Sequence, residues 1–177
     1  MKDRLNIGCG RFPIPDYHNV DYYSAPGVDE QVDLESFPWP WPDESFSEVR
    51  AIQVLEHLWD LAATMREMAR VLRPGGRVVV GVPFGIRWLY DPFHRHAFNH
   101  RTLRAFIDNN AGLQSGALFT IESETITDYE MPFRWHVKTH LPRLHAALVE
   151  KGLDGKERLK YPLGRRMELT VILRKRP

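Results

Sequence analysis

Short apolar runs recur along the first half of the chain, each closed by glycine, aspartate or glutamine. Leu5-Asn6-Ile7 stops at Gly8, His18-Asn19-Val20 at Asp21, Val32 at Asp33, and Val49-Arg50-Ala51-Ile52 at Gln53. Runs this short, bounded by turn residues, read as strands buried within a sheet. Strands are expected over 4–7, 18–21, 31–33, 48–52, 77–82, 118–126 and 167–173. One stretch changes period: Leu61, Met65, Met68 and Leu72 follow spacings of four, three and four, which predicts an amphipathic helix over 60–72. Pro74-Gly75-Gly76 then ends the helix and turns into the fifth strand. Further helices are expected over 101–110, with Asn99 as N-cap, and over 141–152, with Pro142 in the first turn. Strands alternating with helical patterns specify a mostly parallel sheet covered by helices.

The connections depart from a full set of crossover helices. Only 11–17, with Pro13 and Pro15, separates the first two strands, and a parallel crossover needs a dozen or more residues. Residues 22–30 leave room for a turn or two, and 36–45 carries Pro38, Pro40 and Pro42. One sheet face is therefore expected to be thinly covered. A two-fold homodimer is the expected remedy, with Phe37, Trp39 and Trp41 as contacts. The alternatives for the two tryptophans are a wall beside a bound base, or a seal on the sheet edge.

A chain of 177 residues supports one domain, 1–177, with a single core. Its formal charge of +1 gives no global field toward nucleic acid or membrane, and its late basic residues read as solvated. Cys9 is the only cysteine, which excludes an intrachain disulfide. No apolar run approaches the roughly 20 residues of a membrane span, and a cytoplasmic location is expected.

The chemistry gathers at strand ends. A strand leaving through Gly8-Cys9-Gly10 lets backbone approach a ligand without a Cβ in the way. Asp21, at the tip of the next strand, is the usual kind of partner for ribose hydroxyls. A dinucleotide fold needs a third glycine three residues further on, and Pro13 stands there. A nucleoside cofactor without a pyrophosphate fits better, and S-adenosylmethionine is the common one.

After the fourth strand, Glu56-His57 sits where open α/β sheets bind their ligands, with His57 a candidate base. The competing reading has the pair capping the following helix. Beyond the fifth strand, Asp91-Pro92-Phe93-His94-Arg95-His96 is expected to face substrate. His94, His96 and His100 raise the question of a metal, but no carboxylate or cysteine completes a set and Arg95 would repel a cation. No metal is expected. Phe84, Trp88, Tyr90 and Trp135 are candidates for an acceptor pocket or for core.

Taken in order, Leu5–Gly10, Asp21, Val32-Asp33-Leu34, Gln53-Val54-Leu55-Glu56-His57-Leu58 and Leu72-Arg73-Pro74-Gly75-Gly76 resemble the class I S-adenosylmethionine-dependent methyltransferases. The similarity is to their small bacterial type-11-like branch and runs from Leu5 to about Thr102. It implies a Rossmann-like seven-stranded sheet of order 3-2-1-4-5-7-6 with the last strand antiparallel. It also implies Asn6, Gly8, Cys9 and Gly10 beside the methionine moiety, Asp21 on the ribose, Asp33 and Leu34 on the adenine. Gln53 would meet the methionine end through its carbonyl, with Glu56 close by, and the loop carrying His94 and His96 would lie over the acceptor. The expected reaction is direct methyl transfer to a small molecule, giving S-adenosylhomocysteine. A non-catalytic cofactor-binding or scaffold protein is one alternative, and a nucleic-acid or protein methyltransferase another. The near-neutral charge and the absence of an Asn-Pro-Pro-Tyr-type segment after strand four argue against nucleic acid.

Overall fold

In a computed structural model the chain is described over residues 2–84, 91–99, 101, 103, 104, 107, 118–129 and 166–176. The expected 141–152 helix and residues Trp88, Tyr90, His100 and Trp135 lie outside this set.

Seven strands form one sheet: β1 (Arg4–Ile7), β2 (Tyr17–Asp21), β3 (Glu30–Gln31), β4 (Phe46–Ile52), β5 (Leu72–Pro83), β6 (Phe119–Tyr129) and β7 (Arg166–Lys175). Their order is β3-β2-β1-β4-β5-β7-β6. The first five run parallel, and β7 is antiparallel to both neighbours, β5 and β6. The register sets Leu5 beside His18 and Val49, and Val49 beside Val78. Leu5, Ile7, Val20, Val49, Ala51, Val78, Val80 and Val82 are all fully buried. β-branched and leucine side chains suit a pleated surface enclosed on its faces, so these runs become the interior strands. On β7, Leu169, Val171 and Leu173 take the buried alternate positions.

The single full helix among the described residues, α1 (Leu61–Val71), lies on the sheet through Met65, Met68, Ala69 and Val71. Asp60 caps it, accepting the Ala63 amide at 2.8 Å. Capping therefore falls to Asp60, not to Glu56-His57. The helix also stops earlier than its glycines suggest: Leu72 is already extended and closes the last turn through its amide to the Met68 carbonyl. Pro74-Gly75-Gly76 serves instead in a strand irregularity. Phe46 pairs with Leu72 and Glu48 with Arg77, so the residues between are looped out of register, with Gly75 at φ +71°. β3 is likewise shorter than expected, ending at Gln31 before Asp33.

The proline-rich 36–45 segment takes the place of a crossover helix beside α1. Trp39 and Trp41 are 2% and 4% exposed, so their expected role as dimer contacts does not hold. Their rings meet edge to face at 5.8 Å, and Trp41 meets Phe46 in the same way. Their indole N–H groups donate to the Leu34 carbonyl and the Glu30 carboxylate. Glu67 on α1 accepts the Trp39 amide at 2.7 Å and pairs with Arg70, whose guanidinium donates to the Trp39 and Trp41 carbonyls. The loop is thus sewn to the helix by one half-buried ion pair, and the tryptophans seal the sheet.

The 8–16 and 22–29 connections contain no helix and are held by another device. Asn19 accepts the Asn6 side-chain amide and the Ile14 backbone amide, and donates to the carbonyls of Ile14 and Tyr17. Asp29 takes the Asn19 amide at 2.8 Å. One buried asparagine therefore satisfies the turn that a helix would otherwise organise.

Candidate functional site

Two groups of residues stand at the carboxyl ends of the parallel strands. The first is built on β1 and β2. Gly8 and Gly10 both adopt positive φ, +58° and +53°, in the region where a Cβ is disfavoured. Their surroundings differ. A Cβ on Gly8 would meet Val54 Cγ2 at 2.5 Å, so Gly8 is required by the packing of two strand tips. A Cβ on Gly10 would meet nothing within 4 Å, so its open side is available to a ligand. Asp21 stands beside that opening, with Oδ2 taking the Gly10 amide at 2.8 Å and Oδ1 the Tyr23 amide at 3.0 Å. Cys9 is buried, which raises its thiol pKa, with the Asp21 charge acting the same way. Asn6 is 4% exposed and turned to Asn19, which makes it a support of the β1 tip.

Asp33 is exposed and orders the next turn, taking the Glu35 amide at 2.9 Å, while Leu34 beside it is buried. Gln53 ends β4 at φ +55°, a conformation unusual for a side-chain-bearing residue and of the kind that collects at functional positions. Its amide donates to the Gly81 carbonyl at 2.7 Å and its side chain to Glu168 on β7 at 3.0 Å. Both bonds hold the β4 tip in this turn.

The second group lies on the short 3₁₀ turn Leu55–His57 and the loop over residues 91–99. The Glu56 carbonyl accepts the amides of Arg95 and His96, at 2.7 and 3.2 Å. His96 Nε2 donates to the Leu58 carbonyl at 2.7 Å, and the Arg95 guanidinium donates to the His57 carbonyl while lying 4.0 Å over the Trp59 ring. These bonds fasten the loop to the turn and bring the His57 and His94 rings to 4.8 Å between centroids. His57 Nδ1 lies 3.4 Å from the Phe93 carbonyl, which only accepts, so the ring's Nε2 is left with its lone pair. Burial lowers the His57 pKa below the ordinary histidine value, so the ring is neutral at neutral pH.

Glu56 is 0% exposed, and neither carboxylate oxygen has a hydrogen-bond partner. Burial pushes its pKa up to about 7, with Glu168 and Asp91 acting in the same direction. His57 Nε2 is 4.0 Å from Glu56 Oε1. The Glu56 carboxylate thus groups with His57 and His94, whereas the resemblance set it beside the cofactor. Phe84, at the end of β5, is 7% exposed and belongs to the core.

Residues 17–80 match the family described as Methyltransferase domain. A probable S-adenosylmethionine-dependent methyltransferase of Mycolicibacterium smegmatis is 39% identical over 75 residues, covering 39% of this chain and 29% of that protein. Over this stretch the chain is similar to S-adenosylmethionine-dependent methyltransferases. The 27-O-demethylrifamycin SV methyltransferase of Amycolatopsis mediterranei is 44% identical over 57 residues, 30% of this chain and 21% of that one. These matches span less than a third of the relatives' own length. The YcgJ protein of Bacillus subtilis shares the fold, with a TM-score of 0.61 over 98% of this chain and 92% of that chain, at 18% identity.

The Mycolicibacterium relative is named for S-adenosylmethionine, and the first group of residues suits a nucleoside ligand of that kind. Gly10 leaves an open approach, the Asp21 carboxylate stands at its edge, and Gln53 holds a strained turn at the neighbouring strand tip. No helix among the described residues is long and apolar enough to cross a membrane.

Proposed function

We propose that this chain transfers the methyl group of S-adenosylmethionine to a small-molecule acceptor by direct displacement. The observation that carries the reading is the division of one strand-end crevice into two chemically distinct halves. Gly10 and Asp21 form an open, polar edge at the tips of β1 and β2, Gln53 holds the tip of neighbouring β4, and Glu56, His57 and His94 form a partly buried cluster on the turn that follows it. When bound, S-adenosylmethionine supplies a methyl group already activated by a sulfonium. The protein's own task is then to hold an acceptor in line, keep the methyl group from bulk water and draw off the acceptor's proton.

In this reading Gly8, Cys9 and Asn6 shape the β1 tip, Asp21 accepts from the ribose, Asp33 and Leu34 flank the base, and the Gln53 carbonyl faces the methionine end. His57 and His94 face the acceptor, and His96 fastens their loop. A relative named for 27-O-demethylrifamycin SV supports a small-molecule acceptor. The formal charge of +1 supports it as well, because nucleic-acid binding leans on a basic surface. A reducing, cytoplasmic setting suits the free Cys9 thiol.

We place a self-association surface on the helix-free connections, where Phe12, Tyr22 and Tyr23 are 83%, 61% and 73% exposed. Light scattering across a concentration series should show a mass above the 20.6 kDa of one chain, and a constant monomer mass contradicts the dimer. The reaction itself is tested by incubating the protein with S-adenosylmethionine and hydroxylated small molecules. The expected result is S-adenosylhomocysteine equal in amount to methylated product. Cofactor binding with no turnover on any acceptor class would favour the non-catalytic alternative.

A further inference from the structure

We propose that Glu56, His57 and His94 form a binding site for one divalent transition-metal cation, zinc being the natural fit, whose open position holds the oxygen of the methyl acceptor. The acceptor half of this proposal rests on the methyltransferase reading above, and the cation site does not.

One carboxylate oxygen and one ring nitrogen from each histidine all lie within 4.8 Å of one another. A tetrahedral zinc with bonds of about 2.0–2.1 Å spaces its ligand atoms about 3.4 Å apart, so the set would draw in by up to about 1.4 Å around an ion. Two imidazoles and a carboxylate with a fourth position left open is the donor set of a catalytic zinc site.

Several features of the cluster point to a cation here. The Glu56 carboxylate is fully buried and both its oxygens lack partners, although buried carboxylates are ordinarily paired or bound to a metal. The charged groups that press on it from other elements, Glu168 on β7 and Asp91 in the loop, are both negative. His57 also carries the outer hydrogen bond typical of a metal ligand, with Nδ1 donating to the Phe93 carbonyl and Nε2 directed to Glu56. Asp91 Oδ2 stands 3.7 Å from His94 Nε2 as a further outer group. Arg95, the residue that would oppose a cation, is committed to the His57 carbonyl and stacked on Trp59.

A cation in this position lowers the pKa of a coordinated hydroxyl and fixes the oxygen's direction of attack. The hydroxyl proton passes to water, the oxygen lone pair forms the new O–C bond, and the C–S bonding pair remains on sulfur. The acceptor class is therefore an alcohol or phenol.

The test uses the full chain after chelator treatment and dialysis, titrated with Co²⁺ alone and followed by its visible absorption, then with Zn²⁺ by calorimetry. One ion per chain is expected, with an absorption band of nitrogen–oxygen coordination. Glu56→Gln and His94→Ala, shown folded by circular dichroism and unchanged in S-adenosylhomocysteine affinity, should each lose at least about tenfold in cation affinity. His18→Gln, which breaks a comparable histidine–carboxylate pair outside the cluster, should leave cation uptake unchanged. No saturable uptake, or uptake equal in wild type, Glu56→Gln and His94→Ala, overturns the proposal. Failure of cofactor binding with cation uptake intact would instead overturn the methyltransferase reading and leave the cation site standing.

Discussion

The two halves of the crevice solve opposite problems. At Asp21 both carboxylate oxygens already take backbone amides, and Gly10 beside it faces open space, so the geometry exists before any ligand arrives. Around Glu56 a carboxylate is enclosed with no hydrogen-bond partner, at a free-energy cost that only a function or a ligand would offset. The first half is a preformed cradle, and the second is strained in the absence of its counterpart. Stability and function are therefore separable on the cradle side and opposed on the cluster side.

The largest expected effect separates the two glycines. Gly8→Ala places a methyl 2.5 Å from Val54 in a left-handed turn, and overpacking together with backbone strain should cost about 2–4 kcal/mol in urea denaturation. Gly10→Ala carries the backbone strain alone, about 1–2 kcal/mol, yet should weaken cofactor binding. Equal stability losses for the two would remove the distinction between a packing glycine and a ligand-facing one.

Next comes the pair that sews the proline-rich loop to α1. Arg70→Ala leaves Glu67 buried beside Trp39 without its partner, and should cost about 3 kcal/mol in the same measurement. The Arg70 hydrogen bond holds the Glu67 pKa below the ordinary glutamate value of 4.5. A depressed carboxylate contributes stability that is fully present above pH 4.5 and is lost as pH falls through the folded-state value. Glu67→Gln should therefore flatten the acid limb of the stability profile. An unchanged acid limb would assign the loop's anchoring to the tryptophans alone.

Much of this architecture is visible in the sequence. The short apolar runs locate the strands, the four-three-four spacing locates α1, and Gly8-Cys9-Gly10 with Asp21 points to the candidate cradle, because these devices depend on neighbours in sequence. What escapes is tertiary. Asn19 reads as an ordinary strand residue, and only the fold shows it organising the turn over Ile14 and Tyr17. Glu56 and His94 lie on separate segments, and their meeting depends on two amides bonding to the Glu56 carbonyl. The tryptophans are legible as aromatic, but their burial against α1 follows from the Glu67–Arg70 pair, which no local spacing announces. Gln53 carries no signal of its positive φ, since the turn is imposed by Gly81 and Glu168.

Smaller effects sharpen the cofactor side against the acceptor side. Asp21→Ala removes a charge-assisted acceptor, contributing about 1.5–3 kcal/mol, and should weaken S-adenosylhomocysteine binding about tenfold or more by calorimetry. His94→Ala should leave that affinity unchanged and reduce turnover. Equal affinities for the two variants would detach Asp21 from the ribose. The smallest expected effect belongs to Trp59, 70% exposed beneath the Arg95 guanidinium. Trp59→Ala should cost no more than about 1 kcal/mol of stability while loosening the loop that carries His94.

The central claim is that the cradle on β1 and β2 receives a sulfur nucleoside and not a dinucleotide. Calorimetric titration of the wild-type chain with S-adenosylmethionine, S-adenosylhomocysteine and NAD tests it most directly. The account predicts saturable binding of the first two at one site per chain, a melting temperature raised by about 2.7 kcal/mol of added stability at a hundredfold excess over Kd, and no response to NAD. Heat and stabilisation with NAD, or neither with the two sulfur nucleosides, would contradict it.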